Sequence, residues 1–222
     1  MDFDEKNIPD LESAYDYELT KSQYKAVMAM SYFLESELNC FSLKGYAGTG
    51  KTFLVKGLTR YFLSNEIPFQ LMAPTGRAAQ VLYSKTGVEA STIHRAIYSM
   101  KYIRDSDDND DIKYYFGLKE NPIRNGVFII DEASMLGEFG ADQDIYHFGS
   151  GSLFQDLLEY INPVENKIIF IGDPAQLPPV GATFSPSLNA IYLTDKYNLN
   201  AKEFELTEVV RQDAVSPILA SA

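Results

Sequence analysis

The chain has 222 residues, enough for one large α/β domain with a small insertion, and its 45% hydrophobic residues allow a buried core. No run approaches the roughly 18 apolar residues of a membrane span, the acidic start MDFDEKNIPD lacks the apolar stretch of a secretory signal, and a single cysteine, Cys40, excludes an internal disulfide and fits a reducing cytoplasm. The formal net charge of −12 sits mainly in residues 1–20, with seven acids and one base, and in residues 105–111, with five Asp, so it neither supplies nor forbids a local cationic groove.

Residues 1–18 read as a poorly structured acidic lead-in, and residues 19–222 as one domain. Thr20 and Gln23 have the spacing of a capping box, which predicts an amphipathic helix running to about Glu37. A strand over Cys40 to Lys44, a glycine-rich loop over Gly45 to Gly50 and a helix from Lys51 to about Leu63 follow. Further strands are expected at Pro68–Ala73, Val127–Ile130 and Lys167–Ile171, and further helices at Gly76–Ser84, Thr92–Tyr98 and Ser152–Tyr160. Strands alternating with helices predict an α/β fold, a mostly parallel sheet with helices on both faces. Two segments break the rhythm. Lys101 to Glu120 reads as a small β-hairpin around the Asp-rich turn. Gly137 to Gly151, with four glycines, reads as a loop in which His147 is simply solvated. Ser216-Pro217 has the look of a helix start, so the chain is expected to continue into a longer protein.

Gly45-Tyr46-Ala47-Gly48-Thr49-Gly50-Lys51-Thr52 matches G-x-x-x-x-G-K-[ST] in full, between an apolar strand and a helix. Glycines let successive backbone N–H groups converge on phosphate oxygens at a helix N-terminus. Lys51 adds a positive charge for the β- and γ-phosphates, and the Thr52 hydroxyl suits Mg²⁺, which keeps few protein ligands. The strand VFII ends in Asp131-Glu132, the position where ligands bind in open α/β sheets. Asp131 would hold the metal and Glu132 would polarise an attacking water. A third strand ends in Gly172-Asp173, followed by a proline-stiffened turn carrying Gln176, an amide able to donate to a γ-phosphate while accepting from water. These residues call for ATP and Mg²⁺ as cofactors.

The set GYAGTGKT, APTGRAA, STIH, IIDEAS, GDPAQLPPVG and LTEVVRQ resembles the RecD/Dda-like branch of superfamily 1 helicases, from Gln23 to Arg211. The resemblance implies a P-loop NTPase (RecA-like) fold and an ATP-driven motor that moves 5′ to 3′ on single-stranded DNA and unwinds duplex. It also implies a second RecA-like domain that closes the cleft and that this chain lacks, so the chain alone should hydrolyse ATP weakly. By the same resemblance Gln23 reads the adenine edge, although the capping-box role is an equal rival for that side chain. Pro74, Thr75 and Arg77, with Thr92 and His94 in the neighbouring block, would line the DNA path; the lesser reading of Arg77 and His94 is a solvated helix face. Arg211 would reach the γ-phosphate as a catalytic arginine. Residues 101–124 occupy the place of a small duplex-splitting hairpin, here with an acidic tip. The Gly137–Gly151 loop departs from the family, where a helix follows the acidic block sooner. An RNA helicase of the same superfamily, and a nucleotide-dependent binding subunit of a recombination or repair complex, are the alternative readings.

Overall fold

A computed structural model describes residues 10–105, 112–138, 145–179 and 182–210. Its centre is a six-stranded parallel sheet in the order β3-β2-β6-β8-β1-β9, built from β1 (Cys40–Gly45), β2 (Phe69–Ala73), β3 (Ala90–Thr92), β6 (Val127–Ile130), β8 (Lys167–Gly172) and β9 (Ala201–Leu206). The strands alternate their side chains between two apolar layers. Phe41, Leu43, Ile129, Ile169 and Ile171 face one layer, under α1 (Lys21–Glu35), α2 (Lys51–Ser64) and α3 (Gly76–Thr86). Cys40, Phe128, Ile130, Ile168 and Phe170 face the other, under α4 (Ile93–Ile97), α5 (Leu153–Ile161) and α6 (Ala190–Tyr197). Burial on both faces is the reason β6 (VFII) and β8 (KIIFIG) read as nearly unbroken apolar runs rather than alternating ones. Cys40 is buried and free, its thiol pKa pushed up by desolvation.

Three sequence expectations change. Residues 10–18 are not a loose lead-in. Leu11 is fully buried in the core, and the Tyr15 hydroxyl donates to the Leu54 carbonyl while its ring lies against Phe53 and over Gly57 of α2. One Leu and one Tyr outweigh the surrounding acids because their apolar surface has a helix to cover. The small β-excursion is a three-stranded sheet rather than a bare hairpin: β4 (Tyr98–Asp105) pairs antiparallel with β5 (Ile112–Leu118), and β7 (Tyr146–Phe148) runs parallel to β5. The Asp-rich tip, 106–111, lies outside the described residues.

Consequently Gly137–Gly151 is not loop throughout, and His147 is not a solvated loop residue. Its ring stacks on Tyr115 at 5.0 Å, and its Nε2 is buried without a hydrogen-bond partner. Tyr114 with Tyr146, and Phe116 with Phe148, stack beside it. Such cross-strand aromatic pairs stabilise a short strand that its glycine-rich flanks would otherwise leave as coil. The small sheet is tied to the main body through Asp156 of α5, a buried carboxylate that accepts from the Tyr98 hydroxyl and from the Ser150 N–H.

Candidate active site

The phosphate loop leaves β1 and enters α2. Gly48 and Gly50 have φ of +82° and +89°, a region where a Cβ is strained, and a methyl at Gly50 would also overlap the Gln23 amide. Thr49 is buried, its hydroxyl donating to the Tyr46 carbonyl at 2.9 Å, which braces the turn. The Lys51 ammonium donates to the carbonyls of Gly45 (2.6 Å) and Tyr46 (3.2 Å), within its own loop.

Gln23 is buried beside this loop. It completes the capping box with Thr20, accepting from the Thr20 N–H at 3.1 Å, and its Nε2 donates to the Thr49 carbonyl at 3.1 Å. The structure therefore brings Gln23 to the phosphate loop, with its amide oxygen committed to the cap.

Asp131 and Glu132 stand at the carboxyl end of β6. The Glu132 N–H donates to Asp131 Oδ1 at 3.0 Å. Glu132 adopts φ +53°, ψ +33°, a left-handed conformation uncommon for a residue with a Cβ and characteristic of sites where backbone strain serves function. Sequence patterns carry no signal for it. Burial is the main cause that pushes the Asp131 carboxyl up to about 6; the Glu132 charge adds to the rise, and the Glu132 N–H and Lys51 oppose it. Gln176, on the turn after β8, donates from Nε2 to Glu132 Oε2 at 3.0 Å and accepts from the Ser134 hydroxyl at 2.8 Å. Ser134 was not singled out from the sequence; its role depends on a partner 42 residues away. A chain of serines braces the turn: Ser187 Oγ donates to the Ala133 carbonyl, Ser185 Oγ to the Ser134 carbonyl, and Ser42 of β1 to the Ser187 carbonyl.

Thr52, in the first turn of α2 after the phosphate loop, and Asp131, just past the end of β6, are two hard oxygen donors, the kind of protein ligation that a phosphate-borne Mg²⁺ uses. A carboxyl whose ionisation is opposed by burial and by a neighbouring acid is also one that a cation would relieve, so the donors fit the metal. Among the described residues no group of three or more His, Cys, Asp or Glu forms a metal cage.

The DNA-path candidates lie side by side. Ala73 at the end of β2 pairs with Thr92 at the end of β3, so the two blocks leave the same edge of the sheet. Thr75 and Thr92 are helix N-caps, accepting from the N–H groups of Ala78 and Arg95. Arg77 is exposed and Pro74 half-buried. His94 keeps an exposed edge while its ring contacts Tyr98 and Phe148 at 5.7 and 5.3 Å, and partial burial lowers its pKa. Arg211 lies outside the described residues.

No helix among the described residues is long and apolar enough to cross a membrane. A family model described as an AAA domain matches residues 18–222. An uncharacterized protein of Acanthamoeba polyphaga mimivirus is 29% identical over 90% of this chain and 41% of its own length. The ATP-dependent RecD2 DNA helicase of Deinococcus radiodurans is 31% identical over 81% of this chain and 21% of its own length. The ATP-dependent DNA helicase Dda of Enterobacteria phage T4 is 32% identical over 89% and 40%. The chain thus spans less than half the length of these relatives. It belongs to the AAA domain family, as a RecA-like domain of the RecD/Dda-like branch of superfamily 1 helicases.

Proposed function

We propose that this chain is the ATP-binding motor domain of a DNA helicase, hydrolysing Mg·ATP to move on single-stranded DNA and open duplex, 5′ to 3′. The observation that carries the reading is the convergence of Lys51, Asp131, Glu132 and Gln176 at the carboxyl ends of neighbouring parallel strands. In this reading Lys51 exchanges its two loop carbonyls for phosphate oxygens. Thr52 and Asp131 would hold Mg²⁺, which would supply positive charge to offset that of the phosphates. Glu132 accepts a proton from the attacking water, its carboxylate aimed by the Gln176 amide, and Gln176 is itself aimed by Ser134. Arg211, one residue beyond the last described segment, is proposed to offset charge on the transferring phosphoryl group. Gln23 is proposed to face the adenine with the amide hydrogen that its two bonds leave over.

Pro74, Thr75, Arg77, Thr92 and His94 are proposed to follow the DNA backbone. Their common edge of the sheet supports this, and so does an exposed Arg beside two helix N-termini, which suits phosphate contacts that carry no sequence reading. The domain boundaries proposed are 19–222 for the motor domain and 101–124 for the insertion. A second RecA-like domain, outside this chain, is proposed to complete the cleft. A recombination or repair complex in the cytoplasm is a fitting setting; the RecD subunit of the RecBCD enzyme from Buchnera aphidicola is 26% identical over 80% of the chain.

Titration calorimetry with a non-hydrolysable ATP analogue and Mg²⁺ tests the reading. Lys51→Ala should abolish tight binding, because it removes a side-chain cation at the β- and γ-phosphates. Equal affinity of mutant and wild type overturns it. Comparing stimulation of the ATPase by DNA and by RNA, in the longer protein, decides between the two nucleic acids.

A further inference from the structure

Helix α1 begins close to the phosphate loop, and its first turn carries no acidic residue of its own. The N–H groups of a first turn have no partners within the helix and point their partial positive charge outward. Here the capping box satisfies Thr20 and Gln23, and the Ser22 N–H is satisfied from 186 residues away by Glu208 Oε2, at 3.1 Å. The Thr20 hydroxyl hydrogen-bonds the same carboxylate, and Lys21 and Lys25 lie near it. These contacts, the Ser22 N–H first among them, hold the Glu208 carboxyl below the usual range. One residue earlier, the Thr207 N–H donates to the Ser22 hydroxyl at 3.1 Å.

The same short segment touches the phosphate loop. β9 runs in register with β1, Leu206 beside Gly45, so the chain leaves the sheet next to the loop. The Val210 N–H then donates to the Gly48 carbonyl at 2.9 Å. A phosphate loop turns its N–H groups inward to the ligand, so its carbonyls face outward and need other partners. Two of those carbonyls are covered by elements that Glu208 joins: Thr49 by Gln23 of α1, and Gly48 by Val210.

We propose that Glu208 is a positioning residue for the nucleotide site, fastening segment 207–210 to the first turn of α1 so that helix, segment and phosphate loop form one closed ring of hydrogen bonds. The ring presets the loop in the shape that receives phosphates, which lowers the ordering cost of binding. Glu208 makes no contact with the ligand; its effect passes through Gly48 and Thr49. The proposal rests on the nucleotide-binding reading.

The test measures affinity for Mg·ADP, by displacement of a fluorescent ADP analogue, on the 222-residue chain. Wild type is compared with Glu208→Ala, Glu208→Gln and Lys51→Ala, each with its melting temperature. Glu208 is partly exposed, so its loss should leave melting within a degree or two of wild type. Glu208→Ala should weaken Mg·ADP about five- to tenfold, the order of one lost hydrogen bond. Glu208→Gln keeps an acceptor for the Ser22 N–H and should stay within about twofold of wild type. If Glu208→Ala binds like wild type while Lys51→Ala does not, the ring has no bearing on the site and the inference falls while the nucleotide reading stands. If Glu208→Ala lowers melting and affinity together, Glu208 is an ordinary structural contact and the inference falls. If wild type itself does not bind, the nucleotide reading falls and takes the inference with it.

Discussion

The Asp131 carboxyl makes a prediction about stability that runs opposite to its use. Its pKa rises from 3.8 to about 6, chiefly because burial disfavours its charge. A carboxyl whose folded pKa is raised binds its proton more tightly in the native state. Its effect on stability is therefore absent below about pH 4, grows steadily more unfavourable as pH climbs from about 4 to about 6, and is constant above. The rise corresponds to at most about 3 kcal/mol, since one decade of acid constant is about 1.4 kcal/mol. Asp131→Asn keeps the shape and the acceptor for the Glu132 N–H and removes the charge. The variant should be more stable than wild type at pH 7.5, by up to about 3 kcal/mol, which for a domain of this size is a melting shift of roughly 5–10 °C. At pH 4.5 the gain should shrink to a fraction of that. Nucleotide affinity in Mg²⁺ should fall in the same variant, because the cation loses a ligand. Differential scanning fluorimetry of both proteins at the two pH values, without nucleotide, provides the measurement. A variant equal to or less stable than wild type at pH 7.5, or a gain that does not change with pH, would refute the reasoning.

Glu132→Gln, in a protein that carries the proposed second domain, should bind Mg·ATP normally and hydrolyse it about 100-fold slower, as expected for loss of a general base; turnover within a few-fold of wild type in a steady-state assay makes Glu132 a structural charge. Leu11→Ala should cost about 2–5 kcal/mol in urea unfolding, since the side chain is fully buried in the core; a loss under 1 kcal/mol means that residues 10–18 do not belong to the folded body.

Much of this domain was legible in the residues alone, wherever the determinant was local. The helix starts at Lys21, Gly76 and Leu153 follow caps at Thr20, Thr75 and Ser152, each a side chain bonding its own backbone three residues on. The central strands at 40–45, 127–130 and 167–172 could be read because burial on both faces demands unbroken apolar runs. The loop of Gly45 to Lys51 and the Asp131-Glu132 pair could be read because phosphate and metal chemistry restrict residue type at close spacing.

What the sequence could not contain was the partner of each group across the fold. β3, β7 and β9 are short or polar, and each is a strand only because a neighbour offers a ladder: β2, the aromatic face of β5, and β1. The same holds for His147, packed on Tyr115, and for Leu11, whose apolar side chain lies in an acidic stretch yet has a helix to cover. At the site, residue type announced Glu132 and Gln176 separately. Only the tertiary structure aims one at the other, adds Ser134, turns Glu132 into a left-handed backbone and brings Glu208 to the head of α1. Hydrogen bonds and desolvation act over a few ångströms of space, and separations of 42 to 186 residues in the chain leave no periodicity that would betray them.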